Sequence, residues 1–174
     1  MAEKIKINRV TNANVYLNGT SLLGRAEEVE LPQIKHKMAE HKALGMVGTA
    51  EFFAGVEKME AKIKWTSIYP EVMLAAAHPT KTAQFQIRAS ISQYSGQGVV
   101  GEVPVVCMMT AAFKEFPLGK FQQHENANIE TQLTVYYCKL QIAGEDIFEI
   151  DVLENIYKVA GDDVLAQYRI NIGA

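Results

Sequence analysis

The most regular pattern in the chain is an alternation of apolar and polar residues, which recurs in several segments. Side chains two positions apart lie on the same face of a strand, so these segments predict half-buried β-strands. In the segment Gln84–Ser95 the predicted buried face carries Phe85, Ile87, Ala89 and Ile91. In the segment Ala127–Ile142 it carries Ile129, Leu133, Val135 and Tyr137, and the opposite face carries Glu130, Gln132, Thr134 and Tyr136.

Turn signals and further strand signals surround these two segments. Asn18-Gly19 lies between two apolar runs and predicts a hairpin, because both turn positions need a positive φ. Strands are also predicted over Met59–Ile68 and over Glu27–Lys37, where Pro32 indicates an edge strand or a bulge. The segment Val103–Phe113 is apolar on both faces, which is typical of a strand covered on both sides.

Two short helices complete the predicted elements. Pro70 as a first helical residue and Pro79 as a stop predict one helix between them. A second is predicted over Asp162–Arg169, because its acidic start and basic end suit the helix dipole. About seven or eight strands separated by turns predict a mainly β fold, a two-layer β-sandwich or rolled barrel. We expect a single domain over residues 1–174, with a C-terminal helix and tail over 161–174.

The connection over residues 39–59 is long and unusually apolar. Long connections inside a compact domain are usually functional, and contiguous exposed apolar surface usually marks an interaction site. One interpretation is a hairpin folded back on the chain's own core. The other is a long apolar extended loop that docks on a neighbouring copy of the protein. Its apolar residues are Leu44, Met46, Val47, Phe52, Phe53, Val56 and Met59, and Gly45, Gly48 and Gly55 lie among them.

Composition and charge narrow the possible functions. The net charge is −3, and residues 125–174 contain nine acidic residues but only three basic ones. This charge disfavours stable binding of nucleic acid, because such binding needs a basic surface. Cys107 and Cys138 lie in apolar runs and are predicted to be buried, reduced thiols. No apolar run could cross a bilayer and no signal-peptide pattern is present, so we expect synthesis and folding in a cytoplasm.

No group of residues has the pattern of a catalytic or metal site. His36 and His41 are five positions apart, which is not the helical spacing of a metal-binding pair, and His78 and His124 have no partner motif. The carboxylates of residues 145–151 alternate along a predicted strand and indicate a solvated face. We therefore predict no catalytic, cofactor-binding or metal-binding residues, and no enzyme activity.

The polar faces of two predicted strands are unusual because they are rich in short or uncharged side chains. They carry Gln86, Arg88, Ser90 and Ser92 on one strand and Glu130, Gln132 and Thr134 on the other. Ordinary solvent exposure accounts for this pattern. A sheet that lines a water-filled channel would show the same pattern, and alternation alone leaves both interpretations open.

Several segments together resemble the major tail tube protein of contractile-tailed bacteriophages, a family shared with the tubes of R-type bacteriocins. The resemblance rests on the order and spacing of VYLNGTSLLGRAEEVELPQI, HKALGMVGTAEFFAGVEKMEAKIKW, VPVVCMMTAAFKEFPLG and TVYYCKLQIAGEDIFEIDVLENIYKVAGDDVLAQYR. It covers nearly the whole chain. The first dozen residues and the tip around 95–101 match less well.

The resemblance implies a β-sandwich subunit that forms hexameric rings, which stack into a hollow tube inside a contractile sheath. It implies that the sheets of six subunits join into an inner barrel through which DNA passes. Residues 39–59 would be the loop that reaches adjacent subunits and the next ring. Lys42, Leu44, Gly45 and Met46 match the outward part of that loop, and Gly55, Val56, Glu57 and Met59 match its return.

The partners implied by the resemblance are further copies of the chain, the tail sheath protein, a tape-measure protein, and baseplate and tail terminator proteins. DNA would be present only in transit, with no cofactor and no membrane insertion of the subunit. The expected location is the virion tail, assembled in the host bacterial cytoplasm. Two alternatives are a tube protein of a type VI-like secretion machine and, from another class, a monomeric β-barrel that binds a small apolar ligand.

Overall fold

The computed structural model describes residues 5–173. Residues 1–4, which belong to the first dozen residues that match the family less well, and Ala174, the end of the predicted tail, lie outside the described residues. The described part contains twelve strands and two helices. The strands are β1 (Ile7–Leu17), β2 (Thr20–Ser21), β3 (Ala26–Glu30), β4 (His36–His41), β5 (Ala50–Val56), β6 (Met59–Trp65), β7 (Ala83–Ser95), β8 (Gly98–Phe113), β9 (Ile129–Ile142), β10 (Glu145–Asp151), β11 (Ile156–Val159) and β12 (Asp162–Asp163). The helices are α1 (Pro70–Ala76) and α2 (Ala166–Ile172).

The strands form one large antiparallel sheet and one separate hairpin. The large sheet has the order β12-β11-β10-β9-β8-β7-β1-β2, and β6 joins it by pairing with β9 on one edge and with β3 on the other. β4 and β5 pair only with each other. The mainly β prediction and the two short helices are confirmed. Within residues 5–173 the large sheet does not close into a barrel.

Tight turns link neighbouring strands where the sequence supplies residues that accept a positive φ. Asn18 and Gly19, at φ values of 48° and 82°, connect β1 to β2, which confirms the predicted hairpin. Ala143 and Gly144 adopt 55° and 84° and connect β9 to β10 in the same way. Two successive positive φ angles match the right-handed twist of the strands that they join.

The core lies on one face of the large sheet. It is built by alternate residues of β1, β6, β7, β8 and β9, and by Val72 and Ala76 of α1. Trp65 donates from Nε1 to Oγ1 of Thr131 at 3.0 Å, and that hydroxyl donates to the Ile63 carbonyl at 3.2 Å. This hydrogen bonding is required because a buried polar group without a partner costs about 1–3 kcal/mol.

A bulge in β9 overturns one predicted face assignment. Ala111 of β8 pairs with Val135, but Thr110 pairs with Tyr137, so Tyr136 is an extra residue in β9. An extra residue reverses the alternation that follows it. Tyr137 therefore lies on the face opposite the core, and the prediction that it shares a face with Val135 was wrong. Cys138 takes the core position instead.

Three predicted boundaries also need correction. The predicted strand Glu27–Lys37 is two strands, since β3 ends just before Leu31-Pro32 and β4 begins at His36. The predicted loop over 39–59 is largely the β4–β5 hairpin. The second helix begins at Ala166 and not at Asp162, because Asp162 and Asp163 pair with β11 and the Asp163 carboxylate accepts the Leu165 N–H at 3.0 Å.

Candidate assembly surfaces

The β4–β5 hairpin, here called the arm (residues 36–56), exposes most of its apolar side chains. Its two strands pair along their length, from His36 with Val56 at the base to His41 with Ala50 near the tip. At the tip, Leu44 and Val47 are fully exposed, at 105% and 108% of their reference areas. The other exposed apolar residues of the arm are Met38, Met46, Phe52 and Phe53. Hence the arm is a hairpin, yet it is not folded onto the core.

An aromatic cluster fixes the base of the arm to β11. His36 Nε2 lies 3.0 Å from the hydroxyl of Tyr157. The rings of His36 and Phe53 meet edge to face with centroids 5.5 Å apart, and Phe53 stacks on Tyr157 at 6.3 Å. Such aromatic pairs contribute about 0.5–1.5 kcal/mol beyond the area that they bury. The arm is therefore held at its base and exposed at its tip.

The structure divides the predicted arm residues into three groups. Lys42, Leu44, Gly45, Met46, Phe52 and Phe53 are exposed on the arm. Gly55 and Val56 are half-buried at its base, where Val56 packs against the core. Met59 is different, because it begins β6 with its side chain in the core and is only 1% exposed. Its assignment to a docking surface is corrected on that ground.

A cleft of about 490 Å³ lies beside the base of the arm. Its walls are the return strand of the arm, the β10–β11 hairpin and the beginning of α2. Apolar side chains dominate the lining, among them Ile150, Val152, Leu165 and Tyr168. The described part of α2 buries no residue, and Ile170 and Ile172 are exposed as well. The C-terminal segment therefore adds a second apolar surface next to the arm.

The two predicted polar sets lie on one face of the large sheet, opposite the core. Gln86 of β7 pairs with Met108 of β8. Ala112, four residues further along β8 and on the same face, pairs with Thr134 of β9. Side chains of directly paired residues lie on the same side of a sheet, so the β7 and β9 sets share this polar face. The set comprises Gln86, Arg88 and Ser90 of β7 and Glu130, Gln132 and Thr134 of β9.

Ser92 is the exception in the predicted polar set. It is only 4% exposed, and its hydroxyl lies 2.6 Å from that of Thr11. Thr11 is skipped in the pairing of β1 with β7, where the register shifts between Val10 and Asn12. The extra residue covers Ser92, which therefore offers no surface to anything outside the subunit.

Ion pairs between neighbouring strands neutralise most charges on the polar face. Lys139 Nζ lies 2.7 Å from Asp146 Oδ2, and this contact holds the pKa of the Asp146 carboxyl below its usual range. Lys158 Nζ lies 3.3 Å from Glu149 Oε2. Burial and the nearby Glu149 carboxylate raise the pKa of Tyr137 to about 12, so this phenol is neutral at pH 7. Among residues 5–173, Arg88 has no ion-pair partner.

Two opposite edges of the sheet lack a partner strand in the described chain. β1 pairs with β7 along its length, but its outer edge pairs with β2 only at Tyr16 and Leu17. β8 pairs with β9 only from Val105 onward. Residues 7–14 and 98–103 are therefore unpaired along the outer edges of one three-stranded section of β1, β7 and β8. Open edges promote pairing with another chain.

The two cysteines face each other in the core. Cys107 and Cys138 are buried, as predicted, and their sulfur atoms lie 3.9 Å apart, well beyond the length of a disulfide bond, about 2.05 Å. The hydrogen bond to Cys107 and burial raise the pKa of the Cys138 thiol. Both thiols are buried among core side chains and are out of reach of reagents in solution, so this pair fills space in the core.

A model of the family described as phage tail tube protein FII matches residues 7–173. The chain belongs to the phage tail tube protein family. It is 28% identical over 174 residues to the tail tube protein of Escherichia phage P2. The alignment covers 99% of this chain and 98% of the phage P2 protein. It is 24% identical over 152 residues to the major tail tube protein of Serratia phage KSP20, with 86% of each chain covered.

Solved structures share the fold of this chain at low sequence identity. A chain of the PVC sheath-tube complex, from an extracellular contractile injection system in the extended state, aligns with a TM-score of 0.52 at 11% identity. The alignment covers 74% of this chain and 87% of that chain. A chain of the PVC sheath/tube terminator aligns with a TM-score of 0.53 at 12% identity, over 76% and 95% of the two chains.

Family membership confirms the predicted resemblance and makes this chain a structural tube protein, not an enzyme. This function takes the place of the alternative considered above, a monomeric β-barrel that binds a small apolar ligand. None of the helices in residues 5–173 has the length and apolar character needed to span a membrane. Sequence reasoning missed the cleft and the two open edges. The apolar residues Val152, Tyr168 and Ile170 were visible in the sequence, but nothing in their spacing indicated that they lie near the arm.

Proposed function

We propose that this protein is the subunit of the inner tube of a contractile tail, in which six copies form a ring and rings stack into a conduit for DNA. Residues 1–174 act as a single tail-tube domain. The observation that carries the proposal is the pair of open edges, over residues 7–14 and 98–103, on opposite sides of one sheet section. Both open edges of such a subunit are paired only when a further copy lies on each side.

The open edges support closure of a ring by strand pairing. β1 and β8 are both antiparallel to β7 and so run in the same direction. In a ring with rotational symmetry, β1 of one copy therefore pairs in parallel with β8 of the next. Because the two edges differ, the contact is heterologous, and it pairs both of these open edges when the ring closes. The number six comes from the family resemblance.

The polar face is the proposed lumen wall. A conduit must not retain its cargo, and ion pairs such as Lys139–Asp146 and Lys158–Glu149 leave few free cations for phosphates. Six subunits of charge −3 give a ring a formal charge of −18, which repels DNA further. Arg88 is exposed on this face, and six copies per ring would supply the remaining attraction for phosphates. Ser92 is left out of the lumen because it is buried.

Other partners follow from this role. The tail sheath protein would surround the tube, a tape-measure protein would fill it during assembly, and baseplate and tail terminator proteins would bind its ends. The subunit would be made and assembled in the host bacterial cytoplasm and would remain in the virion tail. The curated relatives are both phage proteins, which favours a DNA conduit over a type VI-like secretion tube.

Negative-stain electron microscopy of the purified chain, across a concentration series and beside light scattering, tests the proposal. We expect hollow rings at low concentration and stacked tubes of uniform bore at high concentration. Addition of a preformed tube end as an initiator controls for slow nucleation. Particles that remain monomeric at every concentration, with the initiator present, would contradict the tube function.

The lumen assignment is tested by Ser90→Lys, which would add six cations per ring to the proposed wall. We expect tubes of normal length and a slower rate of DNA ejection from the phage, because each lysine attracts phosphates. Thr80→Lys, at an exposed position just after α1, is the matched control and should leave ejection unchanged. An unchanged ejection rate in the Ser90 variant would remove this face from the lumen.

A further inference from the structure

We propose that the arm tip of one subunit docks into the cleft beside the arm base of another subunit. The tip is the loop 42–49 with Leu44, Met46 and Val47. The cleft is the one between the return strand of the arm, the β10–β11 hairpin and α2. This inference rests on the proposed tube function and adds to it the acceptor site for the arm.

The tip carries apolar surface that the subunit itself does not cover. Leu44 and Val47 are fully exposed, and Met46 is exposed beside them. Burial of such side chains is favourable in proportion to the apolar area that it removes from water. Contiguous exposed apolar surface of this kind marks an interaction site, so we expect the tip to bind a partner.

The cleft has the complementary character. Its volume of about 490 Å³ is within the range of pockets that bury compact ligands, about 300–1,000 Å³. The lining side chains Val152 and Tyr168 are about half exposed, at 46% and 51%. An apolar insert would therefore remove area from water on both surfaces.

The geometry of the arm prevents a subunit from filling its own cleft. Phe53, Gly55 and Val56 at the base of the arm form one wall of the cleft. The tip follows a six-residue strand, β4, and a strand rises about 3.3 Å per residue. The tip therefore lies roughly 20 Å from the cleft of the same chain. The occupant must be the tip of a second copy, in a heterologous contact that repeats from subunit to subunit.

Charge supports the same pairing. Lys42 is the only charged residue of the tip loop 42–49. Residues 145–169, which form two walls of the cleft, contain seven acidic residues, of which Asp146, Glu149 and Asp163 are already ion-paired. Asp151 lines the cleft, and like Glu154 it has no ion-pair partner within residues 5–173. The ion pair of Lys42 with Glu40 is long at 3.7 Å and exposed, so exchange of this partner costs little. Glu154, exposed next to the cleft residue Asn155, is a suitable new partner.

Site-specific cross-linking tests the contact. Val47→Cys and Val152→Cys subunits are mixed, assembled into tubes and oxidised with copper phenanthroline. We expect covalent dimers in the mixed tubes. We expect none in tubes of either variant alone, or in tubes that combine Val47→Cys with Leu74→Cys on the exposed side of α1. The native cysteines are buried and do not contribute.

Charge reversal provides a second readout. Lys42→Glu should raise the concentration needed for tube formation by about two- to fivefold, the effect of one exposed ion pair. Addition of Glu154→Lys to the same chain should restore most of the loss. Tubes that form without cross-linked dimers would overturn the tip-and-cleft contact and leave the tube function intact. Absence of tubes from the unmodified chain, even with an initiator, would overturn both.

Discussion

Around β6 and β9 the strands have their pairing partners within one subunit. At the end formed by β1, β7 and β8, the outer strand edges do not. β6 has a partner strand on each edge, and its side chains from Met59 to Trp65 alternate between core and surface. Its outward charges are paired, with Lys62 3.8 Å from both Glu30 and Glu130. The edges of β6 and the outward charge of Lys62 thus have their partners inside the chain.

The opposite end of the sheet lacks those partners. Within residues 5–173 the outer edges over residues 7–14 and 98–103 have no neighbouring strand, and Ile7, Val10, Val99 and Val100 are exposed. The arm shows the same contrast, since the rings of His36 and Phe53 contact each other at the base while the apolar side chains of the tip are exposed. The comparison indicates that the residues that stabilise the subunit and the residues that we propose to assemble it are separate sets. Mutations should therefore separate the two properties.

The largest expected effect is on assembly, from Ala13→Pro. The Val15 carbonyl accepts the Leu22 N–H, so Val15 presents its peptide groups to the outer edge of β1, and Ala13, two residues earlier, does the same. Proline removes this outward N–H, which within the subunit donates only to the exposed Asn12 Oδ1 at 2.8 Å, and leaves the β1–β7 ladder intact. We expect rings and tubes to disappear in electron microscopy, with the free energy of unfolding reduced by less than about 1 kcal/mol.

Ala13→Val is the matched control for this change, because it keeps the N–H and adds side-chain volume at the same exposed site. It should assemble like the unmodified chain. Normal tubes from the proline variant would show that the β1 edge does not join subunits.

A smaller effect, on stability alone, is expected from Thr131→Val in the complete region. The change keeps the shape of the side chain but leaves the buried Trp65 N–H without its acceptor. We expect a loss of about 1–3 kcal/mol in urea unfolding and an unchanged concentration for tube formation among folded subunits. Thr131→Ser, which retains the hydroxyl, should lose less. An assembly defect at full stability would contradict the separation of the two sets.

The smallest effect is expected from Glu60→Gln. Hydrogen bonds to Lys114 and Lys58, at 2.6 and 3.0 Å, lower the pKa of Glu60 from 4.5 to about 2. A carboxyl with a lowered pKa in the folded state stabilises above its unfolded pKa and loses this contribution as pH falls through the folded pKa. The thermal midpoint of the variant should thus be slightly lower at pH 7 and equal to that of the unmodified chain near pH 2. A difference that is the same at both pH values would exclude the ionised pairs as its cause.

Much of the fold could be predicted because it depends on local patterns. The alternation in Gln84–Ser95, the Asn18-Gly19 turn and the helix after Pro70 are each specified by a few neighbouring residues, and all three are present. The bulge at Tyr136 could not be predicted, because one added residue leaves the composition of the strand unchanged. The late start of α2 depends on pairing of Asp163 with β11, which is a contact between segments.

The candidate surfaces could be predicted only in part, for the same reason. The apolar character of the arm was visible in Leu44, Val47 and Phe52, but whether it folds onto the core depends on long-range packing. That packing also placed Met59 in the core and covered Ser92 with Thr11. The cleft joins segments far apart in the chain, and no local pattern marks such a site.

Hydrogen exchange measured by mass spectrometry, on unassembled subunits and on tubes, tests the central claim most directly. The claim is that neighbouring copies complete the subunit at its open edges. We predict that the amides within residues 7–14 and 98–103 that point to the outer edges, such as that of Ala13, exchange rapidly in the free subunit and become strongly protected in tubes, whereas the amides that donate to β7 and those of β6 and β9 are protected in both. Equal exchange of residues 7–14 in free subunits and in tubes would contradict the account.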